Sequence, residues 1–219
     1  MRNTREITDD LYRITSYRKS HVNKRALEDP KKYLNEWEHR YESILKFIAK
    51  KVVSSKDIRI ILLAGPSSSG KTTTAHKISE QIKLLGENAY VISADDFYLC
   101  KKDIPLLENG NPDFENITSL DLPLLEKCLS EIAEKGETYL PHYNMATEER
   151  IIEHKKITLS ENGVVILEGL HCLNPIISNM IPEKSYYKVY ISVMSDFTDD
   201  DRKTIIFSKK DIRLMRRMV

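Results

Sequence analysis

Cysteine is scarce in this chain and poorly placed for crosslinking. Cys100, Cys128 and Cys172 are odd in number, far apart and free of any C-x-x-C pair, which excludes a disulfide framework or a zinc knuckle and suits a reducing cytoplasm. Long hydrophobic runs are also missing. Nothing approaches the ~20 apolar residues of a membrane helix, and the opening MRNTREITDDLYR lacks the apolar stretch of a secretory signal. Neither sign of charge dominates, with 34 basic residues against 33 acidic ones and a formal net charge of +1. No global field is left to attract nucleic acid or an anionic membrane. Internal repeats and low-complexity segments are absent too. The expectation is a soluble, cytoplasmic protein with no nucleic-acid or membrane partner.

What is present is an ordinary globular composition, 41% hydrophobic and 31% charged over 219 residues. That supports one substantial core with some appended structure. Residues 1 to about 28 are polar and mixed in charge, and read as an irregular or partly ordered arm. Asp29-Pro30 then reads as a cap followed by proline at the first helical position, and Tyr33, Trp37, Tyr41, Leu45, Ile48 and Val52 recur at helical spacing. The stripe favours core packing over a binding surface.

The centre of the chain alternates strands and helices. Ile58 to Ala64 reads as a strand buried on both faces, Ala75 to Leu85 as a helix closed by Gly86, and Asn88 to Ser93 as a second strand. A long loop over 94–118 follows, with Pro105, Pro112 and the turn Asn109-Gly110-Asn111, and then a helix from Ser119 to Lys135. Ile157 to Leu159 reads as a short edge strand, Gly163 to Leu167 and Tyr187 to Val193 as buried strands, with a short helix around Asn174 to Met180. This order predicts an α/β fold of three layers around a mostly parallel sheet, with an N-terminal helical extension. Residues 1–56 are expected to form the arm and amphipathic helix, and 57–219 the main domain. The final Asp211 to Val219 run reads as a helix cut before its end.

Gly65-Pro66-Ser67-Ser68-Ser69-Gly70-Lys71-Thr72 matches G-x-x-x-x-G-K-[ST] in full. Glycines let successive backbone N–H groups point inward, and the following helix directs its positive end at phosphates. Lys71 is expected to bridge the β- and γ-phosphates and Thr72 to place its hydroxyl on Mg²⁺. Thr73 extends the triphosphate-binding run. The expected ligands are therefore ATP and Mg²⁺. Magnesium also needs a carboxylate at the carboxyl end of a neighbouring strand, and two places qualify: Glu168, ending VVILE, and the Asp95-Asp96 pair after the second strand. The plain alternatives are a solvated loop acid for Glu168 and turn or cap chemistry for the pair.

GPSSSGKTT, DDFY, NPD, Pro141-x-Tyr143, VVILEGLH and DIRLMRR, in that order, together resemble the uridine kinase and phosphoribulokinase group of P-loop kinases. The likeness runs from about Ile58 to the end of the chain. It implies that Asp95 is the base for a sugar 5′-hydroxyl, and that Tyr98 and Tyr143 line the nucleoside pocket, each equally able to be core. It also implies that Arg213 and Arg216 neutralise the transferring phosphoryl group, against the plain reading of a solvated basic helix end. Two positions depart from the pattern: Gly110 stands where pyrimidine-nucleoside kinases carry a ribose-binding aspartate, with Asp113 as the substitute, and Glu148 stands where they carry a base-reading histidine. Family sequences also continue past the arginine helix, so the remaining part of a longer chain is one expected partner, a second copy being the other.

The expected activity is ATP-dependent phosphoryl transfer to a small molecule's hydroxyl, with a nucleoside such as uridine or cytidine as acceptor. The rivals are a kinase for another alcohol, such as pantothenate or a sugar phosphate, and a catalytically weak nucleotide-binding regulatory module. A GTPase switch is disfavoured because no N-K-x-D sequence follows the loop; Asn23-Lys24 precedes it and lacks the aspartate.

Overall fold

The structure, a computed structural model, describes residues 16–193 and 195–218. In chain order the elements are β1 (Ser16–Arg18), α1 (Lys19–Glu28), α2 (Pro30–Val53), β2 (Ile60–Ala64), α3 (Lys71–Leu84), β3 (Ala89–Ser93), α4 (Leu122–Lys135), β4 (Glu137–Asn144), β5 (Glu149–Thr158), β6 (Val164–Gly169), α5 (Pro175–Ser178), β7 (Tyr186–Tyr190), β8 (Asp196–Thr198), β9 (Ile205–Phe207) and α6 (Lys209–Met218). They fall into two compact units. The larger holds Ile44–Pro66 and Gly70–Ile191, the smaller the described parts of 1–43, 67–69 and 192–219.

The larger unit is built on a four-stranded parallel sheet in the order β3-β6-β2-β7. Every residue of β2 and β6 is buried, which is why both read as unbroken apolar runs instead of alternating ones. Ile60, Leu62, Val165 and Leu167 turn to one face, where they join Leu125, Leu129 and Ile132 of α4. Each of those fully buried side chains contributes about 1.5–3 kcal/mol relative to exposure. Ile61, Leu63 and Ile166 point to the opposite face, the side of α3 with its buried Ala75, Ile78 and Ile82. The result is the expected three-layer P-loop fold. Helix α4 starts where its chemistry demands: the Asp121 carboxylate accepts the Leu124 N–H at 2.9 Å, and Gly136 in the left-handed region ends it.

The hairpin β4–β5 departs from expectation. The short edge strand expected at Ile157–Leu159 is the end of a ten-residue strand paired antiparallel with β4, which was not expected at all. Only Ile157 of β5 is buried, so the strand lacks the alternation that advertises one. In β4, Pro141 sits where the register shifts between Leu140 and His142, because proline has no N–H to give the ladder. Strand β7 differs as well: it lies at the sheet edge, and Tyr190 is 62% exposed. One neighbouring strand in place of two leaves it half-covered, not buried.

In the smaller unit, β1 pairs parallel with β8, which pairs antiparallel with β9. Residues 16–28, expected as irregular or partly ordered, are thus a strand and a helix; 1–15 of that arm, and Val219 on which the unfinished helix was expected to end, lie outside the described residues. Helix α2 begins as expected, the Asp29 carboxylate accepting the Lys32 N–H at 2.9 Å. Its early aromatics pack edge-on, Tyr33 with Trp37 and Trp37 with Tyr17. Its last turns bury Leu45, Ile48, Ala49 and Val52 in the larger unit. Among the described residues no helix is long and apolar enough to cross a membrane.

Candidate active site

The loop from Gly65 to Gly70 joins the buried end of β2 to the first turn of α3, whose first two residues are Lys71 and Thr72. Gly70 has φ +94° and Ser68 φ +60°. Left-handed residues along such a loop turn successive N–H groups to one side, the geometry that cradles an anion. Glycine at 70 is required because a side chain there would be strained. Gly70 starts the helix by accepting the Thr74 N–H at 2.9 Å. The Lys71 ammonium reaches back along the loop and donates to the Pro66 carbonyl at 3.4 Å.

Two carboxylates stand beside this helix start. Parallel register aligns Leu63, Ser93 and Glu168 across three strand ends, so the acid closing β6 and the short turn Ala94–Phe97 after β3 lie on one edge of the sheet. Thr72 Oγ1 donates to Glu168 Oε1 at 2.9 Å. Glu168 is only 7% exposed. Burial pushes its carboxyl above the usual range, while the Thr72 hydrogen bond and the Lys71 charge pull it partly back. Asp95 reaches solvent, yet protein surrounds enough of it that burial is again the largest influence and raises its pKa. Tyr98 and Lys71 oppose that rise, and neighbouring Asp96 reinforces it. Cys172 lies behind the pair, fully buried, and its thiol is held neutral first by burial and then by Glu168 and Asp95. Neither Cys172 nor Gly169 stood out in the sequence.

An aromatic wall adjoins Asp95. Tyr98 packs edge-on against Phe114 at 5.0 Å and Tyr143 at 5.7 Å between ring centres. Its hydroxyl donates to the Phe114 carbonyl at 2.9 Å and also lies within reach of Asp95; with a single proton it serves one at a time. Both tyrosines belong to the buried cluster, and the polar end of Tyr98 borders Asp95. The Tyr143 hydroxyl is buried without a hydrogen-bond partner among the described residues.

The two aspartates of DDFY separate in role. Asp95 faces Lys71 and Tyr98, whereas Asp96 accepts from His142 Nδ1 at 2.9 Å and from the Tyr143 N–H at 3.3 Å. His142 was not anticipated; its only signal was its place between Pro141 and Tyr143. Asp113 uses one carboxylate oxygen to accept the Glu115 N–H at 3.1 Å and so caps its own turn. Gly110 has φ +82° in a turn closed by its N–H on the Leu107 carbonyl, a conformation aspartate rarely adopts. Glu148 pairs with Lys101 at 2.7 Å.

In the smaller unit, Arg213 and Arg216 lie one turn apart on α6. Arg213 Nε donates to the Ser67 carbonyl at 3.2 Å and Arg216 Nη1 to the Ser69 carbonyl at 3.5 Å. The Ser69 hydroxyl is buried and has no partner among the described residues. The structure therefore brings Gly65, Pro66, Gly70, Lys71, Thr72, Thr73, Asp95, Tyr98, Asp113, Tyr143 and Glu168 into one unit, and Ser67, Ser68, Ser69, Arg213 and Arg216 into the other.

The donor set suits magnesium and not zinc. No group of three or more His, Cys, Asp or Glu side chains converges among the described residues. Thr72 and Glu168 instead offer hard oxygens in mutual contact, and Mg²⁺ is typically held by one or two protein oxygens with phosphates and waters completing its shell.

Comparison with known proteins bears on the family and the fold. A family model described as Phosphoribulokinase / Uridine kinase family matches residues 60–198. A uridine kinase of Lactobacillus helveticus is 30% identical over 155 residues, covering 70% of this chain and 68% of that protein. One from Ureaplasma parvum is 28% identical over 144 residues, 66% of this chain and 67% of its own. Among solved structures, one described as a possible uridine kinase from Bacillus stearothermophilus superposes with a TM-score of 0.51 at 21% identity, covering 67% of this chain and 78% of that one. That structure supports the fold.

Proposed function

The chain belongs to the phosphoribulokinase / uridine kinase family of P-loop kinases, and on that footing we propose that it transfers the terminal phosphoryl group of ATP to the 5′-hydroxyl of a nucleoside, uridine or cytidine. One observation carries the reading: the Thr72–Glu168 contact at 2.9 Å joins the phosphate-loop helix to the strand end beside Asp95. A Thr–carboxylate pair serves any site that binds a Mg²⁺-nucleotide, and the second carboxylate, Asp95, is what transfer to an acceptor adds.

In the proposed reaction the loop amides of Gly65 to Thr73 cradle the phosphates and Lys71 exchanges the Pro66 carbonyl for β- and γ-phosphate oxygens. Thr72, Glu168 and Asp95 would hold Mg²⁺, which when bound neutralises charge between those phosphates. Tyr98 and Tyr143 border the acceptor, with Asp113 near its sugar. Asp95 aligns the acceptor hydroxyl and takes its proton as the new O–P bond forms and the bond to the ADP oxygen breaks. In the metal-free chain burial raises its pKa above that of an ordinary aspartate. Arg213 and Arg216 are proposed to meet the charge of the transferring group. The free thiols suit a reducing cytosol.

A second reading, a different small alcohol such as pantothenate or a sugar phosphate, is favoured by Glu148, which is tied to Lys101, and by Gly110, which its turn requires. A site that has exchanged two polar recognition groups changes its substrate. A coupled ADP-release assay with ATP and Mg²⁺ against nucleosides, pantothenate and sugar phosphates decides. Stimulation by uridine or cytidine supports the first reading and stimulation by another alcohol the second; ATP binding with no acceptor-dependent release refutes both in favour of a nucleotide-binding module.

A further inference from the structure

Asp96 makes no contact that the phosphotransfer reading uses, yet it is among the best-engaged side chains near the site. It follows Asp95 on the turn Ala94–Phe97, and one of its oxygens accepts both from His142 Nδ1 at 2.9 Å and from the Tyr143 N–H at 3.3 Å. An ionised carboxylate only accepts, so His142 must carry its proton on Nδ1. The His154 ring of β5 packs against the His142 ring at a tilt of 35°, centres 5.0 Å apart. The turn that carries the proposed base is thereby tied to the strand that carries the Tyr143 wall.

We infer that Asp96 and His142 form a positioning pair, which sets the distance between Asp95 and the acceptor wall and takes no part in the chemistry. The inference rests on the phosphotransfer reading of Asp95. Two observations support it over a simple stabilising role. The side chains are 29% and 45% exposed, and polar contacts this open add little to folding. Other hydrogen bonds of the short turn, the Asp95 N–H to the Ser93 hydroxyl at 3.2 Å, the Tyr98 N–H to the Asp95 carbonyl at 3.3 Å and the Asp121 N–H to the Phe97 carbonyl at 2.7 Å, do not reach β4, and Tyr98 meets that strand by ring packing on Tyr143 at 5.7 Å. Because catalysis depends steeply on the placement of reacting groups, an untethered turn should lose turnover while nucleotide binding survives.

The test compares Asp96→Ala and His142→Ala with Asp96→Asn, which keeps an acceptor oxygen, and His142→Asn, whose amide nitrogen can stand in for Nδ1. The alanine variants should lose about tenfold or more in acceptor-dependent kcat with the KM for ATP within about twofold. The asparagine variants should recover most of the loss, and the double alanine variant should be no worse than the poorer single one. Additive losses, or asparagine variants as slow as the alanines, overturn the inference. Hydrogen exchange at residues 95–98 and at the Tyr143 amide provides a readout that needs no turnover: exchange should quicken in both alanine variants and return in both asparagine variants. Should the wild-type chain phosphorylate no acceptor, the phosphotransfer reading fails and exchange still decides the tether, with wild-type protection in His142→Ala overturning it.

Discussion

Replacing Gly169 with alanine places a methyl group between the two strand ends that carry the proposed chemistry. An added Cβ would lie 2.6 Å from the Ala94 Cβ and 3.2 Å from the Cys172 Sγ. Carbon atoms in good contact sit about 3.5–4.0 Å apart, so β6 and the Ala94 turn must separate by about 1 Å. Neither side can yield cheaply, since Ala94 and Cys172 are 2% and 0% exposed and Ala94 has no flexible end to move aside. Overpacking of this kind costs about 1–3 kcal/mol, or a Tm loss of about 2–4 °C for each kcal/mol in a chain of this size. The effect on turnover should be larger. Glu168 precedes the glycine and Asp95 follows the alanine, so the displacement falls between the two carboxylates, and a 1 Å misplacement costs on the order of 10²-fold. Scanning calorimetry and the ADP-release assay measure both quantities. Adding Ala94→Gly removes the 2.6 Å contact and should restore part of each, judged against Ala94→Gly alone. A Gly169→Ala chain with wild-type Tm and kcat would refute the close-approach argument.

Lys71→Ala should abolish turnover and weaken ATP binding in titration calorimetry, since the Lys71 ammonium, which reaches back along the loop to the Pro66 carbonyl, is the group placed to meet the β- and γ-phosphates. Asp95→Asn should leave ATP binding within about threefold while removing transfer by about 10²-fold or more; wild-type transfer would exclude Asp95 as the base. Glu168→Gln should raise the Mg²⁺ concentration needed for half-maximal rate, because a neutral amide is a poorer ligand for a hard cation; an unchanged requirement would remove Glu168 from the metal site. The same variant has a pH signature. The folded pKa of Glu168 lies above its ordinary 4.5, so between the two values the folded chain binds more protons than the unfolded one and stability falls as pH rises through that window. Urea midpoints measured upward from pH 4.5 should decline less steeply in Glu168→Gln than in wild type.

The phosphate loop, Thr72 and Glu168 could be read in advance because their requirements are local. A glycine-bounded loop between an apolar strand and a helix states its own geometry, and an acid ending the apolar run 164–168 can stand only at a strand end. The start of α2 was legible for the same reason, with Asp29 capping through the residues beside it, whereas α4, expected from Ser119, starts at Leu122 after the Asp121 cap. The hairpin was not, since Pro141 breaks the β4 ladder and β5 buries a single side chain, leaving no periodic signal. Strand β1 was equally hidden, because its partner lies about 180 residues away at Asp196–Thr198.

The amino-acid order by itself therefore determined the three-layer architecture, the loop that grips phosphates and the residue types available to catalysis. Tertiary structure alone decided how they divide the work. It turned Asp95 toward Lys71 and Asp96 toward His142, though the two aspartates are neighbours in one motif. It showed Gly110 to be required by its backbone conformation and brought Lys101 to Glu148. The Asp96–His142 and Lys101–Glu148 contacts join segments far apart in the chain, which a local pattern does not encode, and Gly110 is set by a backbone angle that its residue type alone does not state.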